Sequence, residues 1–258
     1  AAAELPRYDT DAVLLPEESA IEGTVSIAPG VRHDPEAPLV LLLYPQRFAT
    51  APPEFDERNA PWIYPGSVDE GGMAITSCRT ASGAECVVEL SPDGTTAAVT
   101  VPGDGDDRVI LGFRTVVPER FGMFGHVGDE MVLGGGWHPL LAARDDAGAF
   151  DASLPVERSD HWLTLHLGPG WSVIVDGVGP YACPEDAEDG CRVERTSAAA
   201  EPPSIVAAPR WYERSVESAG IRIRLFGTEP VRPPQTYAVR SGIGLDPASV
   251  PDLWSLDR

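Results

Sequence analysis

The chain of 258 residues carries a formal net charge of −21 at pH 7, and all 19 of its basic residues are arginines. No basic stripe is present that could neutralise phosphates, so nucleic acid is excluded as an expected partner. No apolar run approaches the roughly 18 residues that a membrane-spanning helix needs, so no transmembrane segment is predicted. With 26 glycines and 26 prolines, the sequence is typical of a turn-rich protein.

The first half of the chain predicts a series of short strands. Apolar and polar residues alternate in TVSIAP (24–29), and the continuous apolar run LVLLLYP (39–45) is typical of a buried strand. The segment GMAITSCRTASGAECVVEL (72–90) predicts a hairpin that turns at residues 81–83. Further strands are expected in AAVTVP (97–102) and RVILGFRTVVP (108–118), which are bounded by proline, glycine or aspartate.

The second half continues the pattern of strands. HWLTLHLGPGWSVIVDGVG (161–179) contains two alternating runs and predicts a hairpin about the Gly-Pro-Gly sequence at 168–170. WYERSVESA (211–219) fits a short helix or an edge strand, and GIRIRLFG (220–227) is a late strand. We therefore predict an all-β domain, an antiparallel β-sandwich with long loops, over residues 1–227. Residues 228–258 are predicted to be a proline-rich linker or tail.

The four cysteines occur as two pairs with identical spacing. Cys78 and Cys86 flank the predicted turn of the first hairpin, and Cys183 and Cys191 flank an acidic segment. Neither pair has the C-x-x-C spacing of zinc or redox sites. A disulfide within each pair closes a shorter loop than a disulfide between the pairs would. Two local disulfides are therefore predicted, and they indicate an oxidising compartment and hence an exported protein.

The segment GHVGDEMVLGGGWHPLLAARDD (125–146) holds the best candidates for a functional site. Its residues could hold the fold together, contact a second domain or substrate, or catalyse. The zinc pattern His-Glu-x-x-His and the serine-nucleophile pattern Gly-x-Ser-x-Gly are absent from the chain, so no catalytic or metal-binding residue is predicted. A role in holding the fold together is favoured, because consecutive glycines allow close backbone approach and tryptophan is a large apolar anchor. The candidates for contact with a domain or substrate are Trp137, His138, His126 and Asp129.

The acidic segment CPEDAEDGC (183–191) is a second candidate site. It brings four carboxylates into one short loop, and calcium prefers oxygen ligands of this kind. The register of an EF-hand loop is absent, so an exposed charged loop is the alternative. The residues concerned are Glu185, Asp186, Glu188 and Asp189.

Six segments, taken in order, resemble those of a known family. They are RYDTDAVLLPEESAIEGTVSI, LLLYP, VVPERFG, GGWHPLLAARDD, LTLHLGPGWSVIVDGVG and APRWYERSVESAGIRIRLFG. In order and spacing they are similar to the N-terminal domain of the M1 family of zinc aminopeptidases and their bacterial relatives. Trp137, Pro139 and Asp145 or Asp146 take the places of the family's Trp-aromatic-Pro segment and its nearby aspartate. His138 departs from the family's usual Phe or Tyr.

The resemblance implies a saddle-shaped β-sandwich that packs against a zinc-bearing catalytic domain and helps to wall the cleft for a peptide substrate. The family's zinc motif and its Gly-x-Met-Glu-Asn strand are absent here, so no cofactor is expected in this chain and zinc is expected only in a separate catalytic domain. The leading hypothesis is therefore a non-catalytic N-terminal domain of an exported M1-like metallopeptidase. The alternatives are a free-standing peptide- or carbohydrate-binding module with a tryptophan-lined groove, and a hydrolase that uses His126, His138 and nearby carboxylates.

Overall fold

The computed structural model describes residues 5–30, 37–51, 58, 60–102, 108–218 and 221–228. The predicted tail at 228–258 lies outside the described residues, apart from Thr228. The described part of the chain divides into two units, Ala1–Arg210 and Trp211–Arg258. No helix within the described part is long and apolar enough to cross a bilayer.

The described residues are dominated by strands. Helical structure is limited to α1 (Ala60–Ile63) and the 3-10 turns Pro16–Glu18 and Tyr44–Phe48. In chain order the strands are β1 (Arg7–Leu15), β2 (Ala20–Ala28), β3 (Leu39–Leu42), β4 (Gly72–Thr80), β5 (Val87–Leu90), β6 (Thr96–Thr100), β7 (Val109–Val116), β8 (Phe124–Val127), β9 (Glu130–Leu133), β10 (Leu140–Leu141), β11 (Ala143–Arg144), β12 (Phe150–Asp151), β13 (Ser159–Leu167), β14 (Ser172–Val175), β15 (Val178–Ala182), β16 (Cys191–Ala200), β17 (Ile205–Ala208), β18 (Tyr212–Ser218) and β19 (Ile221–Gly227). The predicted all-β sandwich is confirmed.

Three sheets make up most of the first unit. A six-stranded sheet has the order β16-β13-β1-β2-β7-β4, a four-stranded sheet has the order β10-β3-β6-β5, and a five-stranded sheet has the order β15-β14-β17-β9-β8. Their strand pairs are antiparallel except for β1 and β13, which run parallel from Arg7 opposite Asp160 to Val13 opposite His166. This parallel pair joins segments about 150 residues apart and fixes the centre of the large sheet.

The core forms where apolar side chains alternate along the central strands. Successive side chains of a strand point to opposite faces, so every second residue of β1 and of β13 is buried. All four residues of β14 are buried, which fits a strand covered on both faces. The largest fully buried side chains include Trp137, Tyr8, Phe113 and Phe124.

The predicted hairpin at 161–179 is wrong, although both of its arms are strands. β13 belongs to the six-stranded sheet and β14 to the five-stranded sheet, so the Gly-Pro-Gly sequence makes a corner between sheets. The hairpin lies one strand later, between β14 and β15, where Asp176 and Gly177 have φ angles of 49° and 71°. Two consecutive positive φ angles are typical of the tight turns that suit a hairpin's twist.

The two predicted disulfides have different outcomes. Cys183 and Cys191 are bonded, with their Cα atoms 5.4 Å apart, so the second prediction is confirmed. Cys78 and Cys86 are free thiols, and the first prediction is wrong for this structure. They lie where the hairpin opens, because β4 pairs with β7 of the six-stranded sheet while β5 pairs with β6 of the four-stranded sheet.

The second unit contains the β18–β19 hairpin, so the alternative of a short helix at 211–219 is excluded for the described residues. Arg224 Nε donates to Glu213 Oε1 at 2.7 Å across the hairpin. Trp211 packs edge-on against Phe226, with 6.4 Å between the ring centres.

Candidate functional site

Trp137 is a core residue. It follows the glycines after β9, and Gly136 has a φ of 86°, which a residue with a side chain rarely adopts. The indole is fully buried, and its Nε1–H donates to the carbonyl of Pro203 at 2.8 Å. The Trp137 carbonyl accepts a hydrogen bond from the Thr115 hydroxyl, also at 2.8 Å. Trp137 therefore anchors the segment from inside the core of this chain.

His138 is equally buried and is held neutral. Its Nδ1 lies 2.9 Å from the carbonyl of Pro139, and since a carbonyl can only accept, Nδ1 carries the hydrogen. Its Nε2 has no hydrogen-bond partner among the described residues. Burial lowers the pKa of His138 to about 4, against the opposing hydrogen bond to Pro139. Trp137 and His138 are both fully buried, so the role that the structure shows for them is packing in the core.

Tyr8 and His161 complete a buried polar cluster with His138. The Tyr8 ring stacks on His161 at 5.0 Å between centres and lies 5.7 Å from the ring of His138. The Tyr8 hydroxyl accepts the backbone N–H of Leu141 at 2.9 Å, while burial raises its pKa. Burial also lowers the pKa of His161. No local sequence pattern predicts this cluster, because β1 and β13 meet only through their parallel pairing.

His126 and Asp129 lie together on the surface. β8 and β9 form a hairpin whose turn contains Gly128 at a φ of 56°, which brings the two side chains to the rim of one shallow hollow. The hollow does not include His138, so the structure does not assemble the residues of the hydrolase hypothesis. Its lining consists of Pro16, Ser19, His126, Gly128, Asp129, Glu130, Met131 and Trp171.

The acidic loop does not form a calcium site in this structure. Tight turns from Pro184 to Ala187 and from Ala187 to Gly190 keep the loop compact, and all four carboxylate residues are exposed. No group of three histidine, cysteine, aspartate or glutamate side chains within the described ranges could hold a metal ion. The prediction of calcium at Glu185, Asp186, Glu188 and Asp189 is therefore not supported, since the carboxylates face water without converging.

An exposed apolar surface lies at α1. Trp62 is 84% exposed, Met123 is 71% exposed and Phe121 is 45% exposed. The backbone N–H of Phe121 donates to the carbonyl of Ile63 at 2.8 Å, which places the loop after β7 beside the end of the helix. We call Trp62, Phe121 and Met123 the α1 surface. Sequence reasoning missed it, although a tryptophan in a proline-rich segment outside any periodic run was a usable signal.

The tryptophans do not form a groove in the way that the binding-module alternative requires. Trp137 is in the core, Trp62 is on α1, and Trp171 lines the hollow. Trp162 is covered by the guanidinium of Arg7, which lies 3.8 Å from the ring centre. Among the described tryptophans, Trp62 is the strongly exposed one.

The chain was compared with known proteins. No protein-family model and no curated protein matches it. Solved structures do match. M1 zinc metallopeptidases are among them. One, from Deinococcus radiodurans with a Tyr-Ser-Ala substrate, is 13% identical with a TM-score of 0.47 over 86% of this chain and 46% of its own. An aminopeptidase N family protein from Idiomarina loihiensis is 10% identical with a TM-score of 0.46 over 86% of this chain and 32% of its own.

This chain therefore spans less than half of either matched protein. At identities of 10% and 13%, these matches carry no information on the activity of this chain.

Proposed function

We propose that this chain is the non-catalytic N-terminal β domain of an exported M1-like zinc metallopeptidase. In this role it packs on a catalytic domain and helps to wall the cleft that receives a peptide substrate. The resemblance in the order of six sequence segments motivates the proposal. Zinc belongs to the catalytic domain, and this chain supplies no ligand to it.

The observation that carries the proposal is the α1 surface. Strongly exposed tryptophan and methionine side chains are unusual in a chain with a net charge of −21, whose surface otherwise favours water. Tryptophan and methionine are also enriched at the centres of interfaces between proteins and between domains. Burying Trp62 and Met123 against a second domain would remove them from water. Export is supported by the Cys183–Cys191 disulfide, since such bonds persist in oxidising compartments.

The first test is the identity of the native polypeptide. An antibody raised against this chain is used to measure the mass of the protein in its source cells and to capture it. We expect a band well above 27.5 kDa, bound zinc, and hydrolysis of an aminoacyl p-nitroanilide by the captured protein. A captured protein that lacks both zinc and aminopeptidase activity would overturn the proposal.

The second test addresses the α1 surface. Trp62→Ser is compared with Leu90→Ser, a matched control on β5 that is 57% exposed. In the isolated chain neither substitution removes a buried group, so both are expected to leave the melting temperature nearly unchanged. In the full-length protein only Trp62→Ser is expected to lower the melting temperature, by about 4 °C, because only this substitution removes a large apolar side chain from the proposed interface. Equal behaviour of the two variants in the full-length protein would contradict the assignment of this surface.

A further inference from the structure

Cys78 and Cys86 stand directly opposite each other at the end of a hairpin. The backbone N–H of Cys86 donates to the carbonyl of Cys78 at 3.2 Å, and Arg79 and Glu85 bridge the next position towards the turn. Directly opposed residues of antiparallel strands have Cα atoms about 4.5–5.5 Å apart, which is within the range of about 4.4–6.8 Å found in disulfides. The backbone therefore already holds the two thiols at bonding range.

Burial, a side-chain hydrogen bond to Cys86 and the neighbouring thiol raise the pKa of Cys78. The two sulfurs are therefore close enough to interact with each other as well as being held opposite by the backbone.

Solvent access distinguishes this pair from the second one. Cys78 and Cys86 are both half-buried, so a small molecule in solution can reach the site. In the second pair Cys191 is also half-buried, but Cys183 is 3% exposed and belongs to the core. The same spacing of cysteines thus occurs once as a protected bond and once as an accessible pair of thiols.

We propose that Cys78 and Cys86 form a reversible dithiol–disulfide site that exchanges with small-molecule disulfides of the glutathione type. One of the two sulfurs, as its thiolate, attacks one sulfur of the small disulfide, forms a mixed disulfide and releases one small thiol. The other sulfur then loses its proton, attacks the protein sulfur of the mixed disulfide and releases the second small thiol. The two protein thiols are oxidised to one disulfide, and one small disulfide is reduced to two thiols.

The product would tie together two sheets. Cys78 lies on β4 of the six-stranded sheet, and Cys86 directly precedes β5 of the four-stranded sheet. The isolated Arg79–Glu85 bridge and few backbone hydrogen bonds hold the two arms together at present. Oxidation therefore links the two sheets covalently at this point. This consequence does not depend on whether the chain belongs to a metallopeptidase.

The experiment follows both cysteine pairs through a redox titration. The full chain is equilibrated in buffers of reduced and oxidised glutathione at varied ratio, quenched with acid, alkylated, and analysed by peptide mass spectrometry. We expect the Cys78–Cys86 disulfide to rise from below about one-tenth to above about nine-tenths occupancy across the titration, while Cys183–Cys191 stays oxidised throughout. Thiols that remain reduced in oxidised glutathione alone would overturn the proposal. A Cys78–Cys86 bond that survives excess reduced glutathione would also overturn it.

Two serine variants test the two steps of the exchange. Cys78→Ser and Cys86→Ser are each expected to stop at a stable mixed disulfide of glutathione with the remaining cysteine. Absence of a mixed disulfide in both variants would contradict exchange at this site. Circular dichroism of each variant checks that both keep the fold.

Discussion

At the scale of single residues, the most consequential feature is a polar cluster inside an apolar core. Tyr8, His138 and His161 are each less than 4% exposed and contact one another through their rings. Buried histidines avoid the charged form, because no water is available to solvate it. The groups that face His161 include the carboxylates of Asp176 and Asp160, which oppose the effect of burial on its pKa. Burial dominates, so the cluster makes the fold sensitive to acid.

The first prediction concerns His138. Its pKa is about 4 in the folded chain and about 6.5 when unfolded, so between these values the unfolded chain binds a proton that the folded chain does not. The stabilisation is fully present above pH 6.5 and is lost as the pH falls towards 4, for a loss of about 3 kcal/mol. His138→Asn retains a donor for the Pro139 carbonyl but cannot titrate. We expect it to be less stable at pH 7 by about 2 kcal/mol and to lose less stability on acidification.

Urea unfolding between pH 4.5 and pH 7.5 measures this difference. His126→Asn is the control, because His126 is a half-buried residue of β8 that lies outside the buried cluster of Tyr8, His138 and His161. We expect the control to follow the original chain across the pH range. Parallel loss of stability in His138→Asn and in the original chain would show that His138 does not contribute to the acid response.

Residue roles were only partly predictable from the sequence. A tryptophan after three glycines indicated an anchor, and Trp137 is one. The role of His138 depended on a neighbour from β1 and a neighbour from β13, which no local pattern reveals. Distant pairing decides which polar residue is buried, so local reasoning placed His138 beside His126 as a contact residue.

At the scale of elements, the pairing of β1 with β2 depends on the glycine at position 23. A Cβ atom added at Gly23 would lie 2.1 Å from the carbonyl oxygen of Asp11 and 2.7 Å from the Cα of Ala12. These are backbone atoms of β1, which is held on one side by β2 and on the other by β13. The backbone therefore cannot yield as the end of a flexible side chain could.

The second prediction follows from this contact. Gly23→Ala is expected to reduce the free energy of unfolding by about 3 kcal/mol or to prevent folding, because overpacking against a fixed backbone forces strands apart. Gly168→Ala is the matched control, since a Cβ there meets nothing within 4 Å. It is expected to change stability by less than about 0.5 kcal/mol. Equal stability of the two variants in guanidinium unfolding would refute the steric argument.

Strands were easier to predict than their connections. Alternation of apolar residues located β2, β7 and β13, because one face of each strand is buried. The Gly-Pro-Gly corner was misread as a hairpin, since such a sequence bends the chain equally well whether the next strand pairs back or joins another sheet. The Asp176–Gly177 dipeptide was the better hairpin signal, because Asp-Gly is typical of the tight turn in which both central residues have a positive φ.

At the scale of the whole molecule, the hydrophobic core belongs to one unit. All buried members of the core cluster among the described residues lie between Tyr8 and Ala207. The boundary between the units falls after Arg210, whereas sequence periodicity continues to Gly227 and suggested one domain to that point. Periodicity identifies strands but not the sheet that they join, so β18 and β19 were assigned to the sandwich.

The third prediction is that a chain ending at Arg210 folds alone. A domain with its own core can in principle fold independently, and removing residues from Trp211 onwards removes no member of that core. We expect cooperative thermal unfolding with a midpoint within about 3 °C of the full chain, and unchanged near-ultraviolet circular dichroism from the buried Trp137. A chain ending at Val175 is the control, because it lacks β17, which pairs with both β14 and β9 and thereby joins them in the five-stranded sheet. That control is expected to lose cooperative unfolding, whereas the same loss in the chain ending at Arg210 would show that the second unit is needed to complete the sandwich.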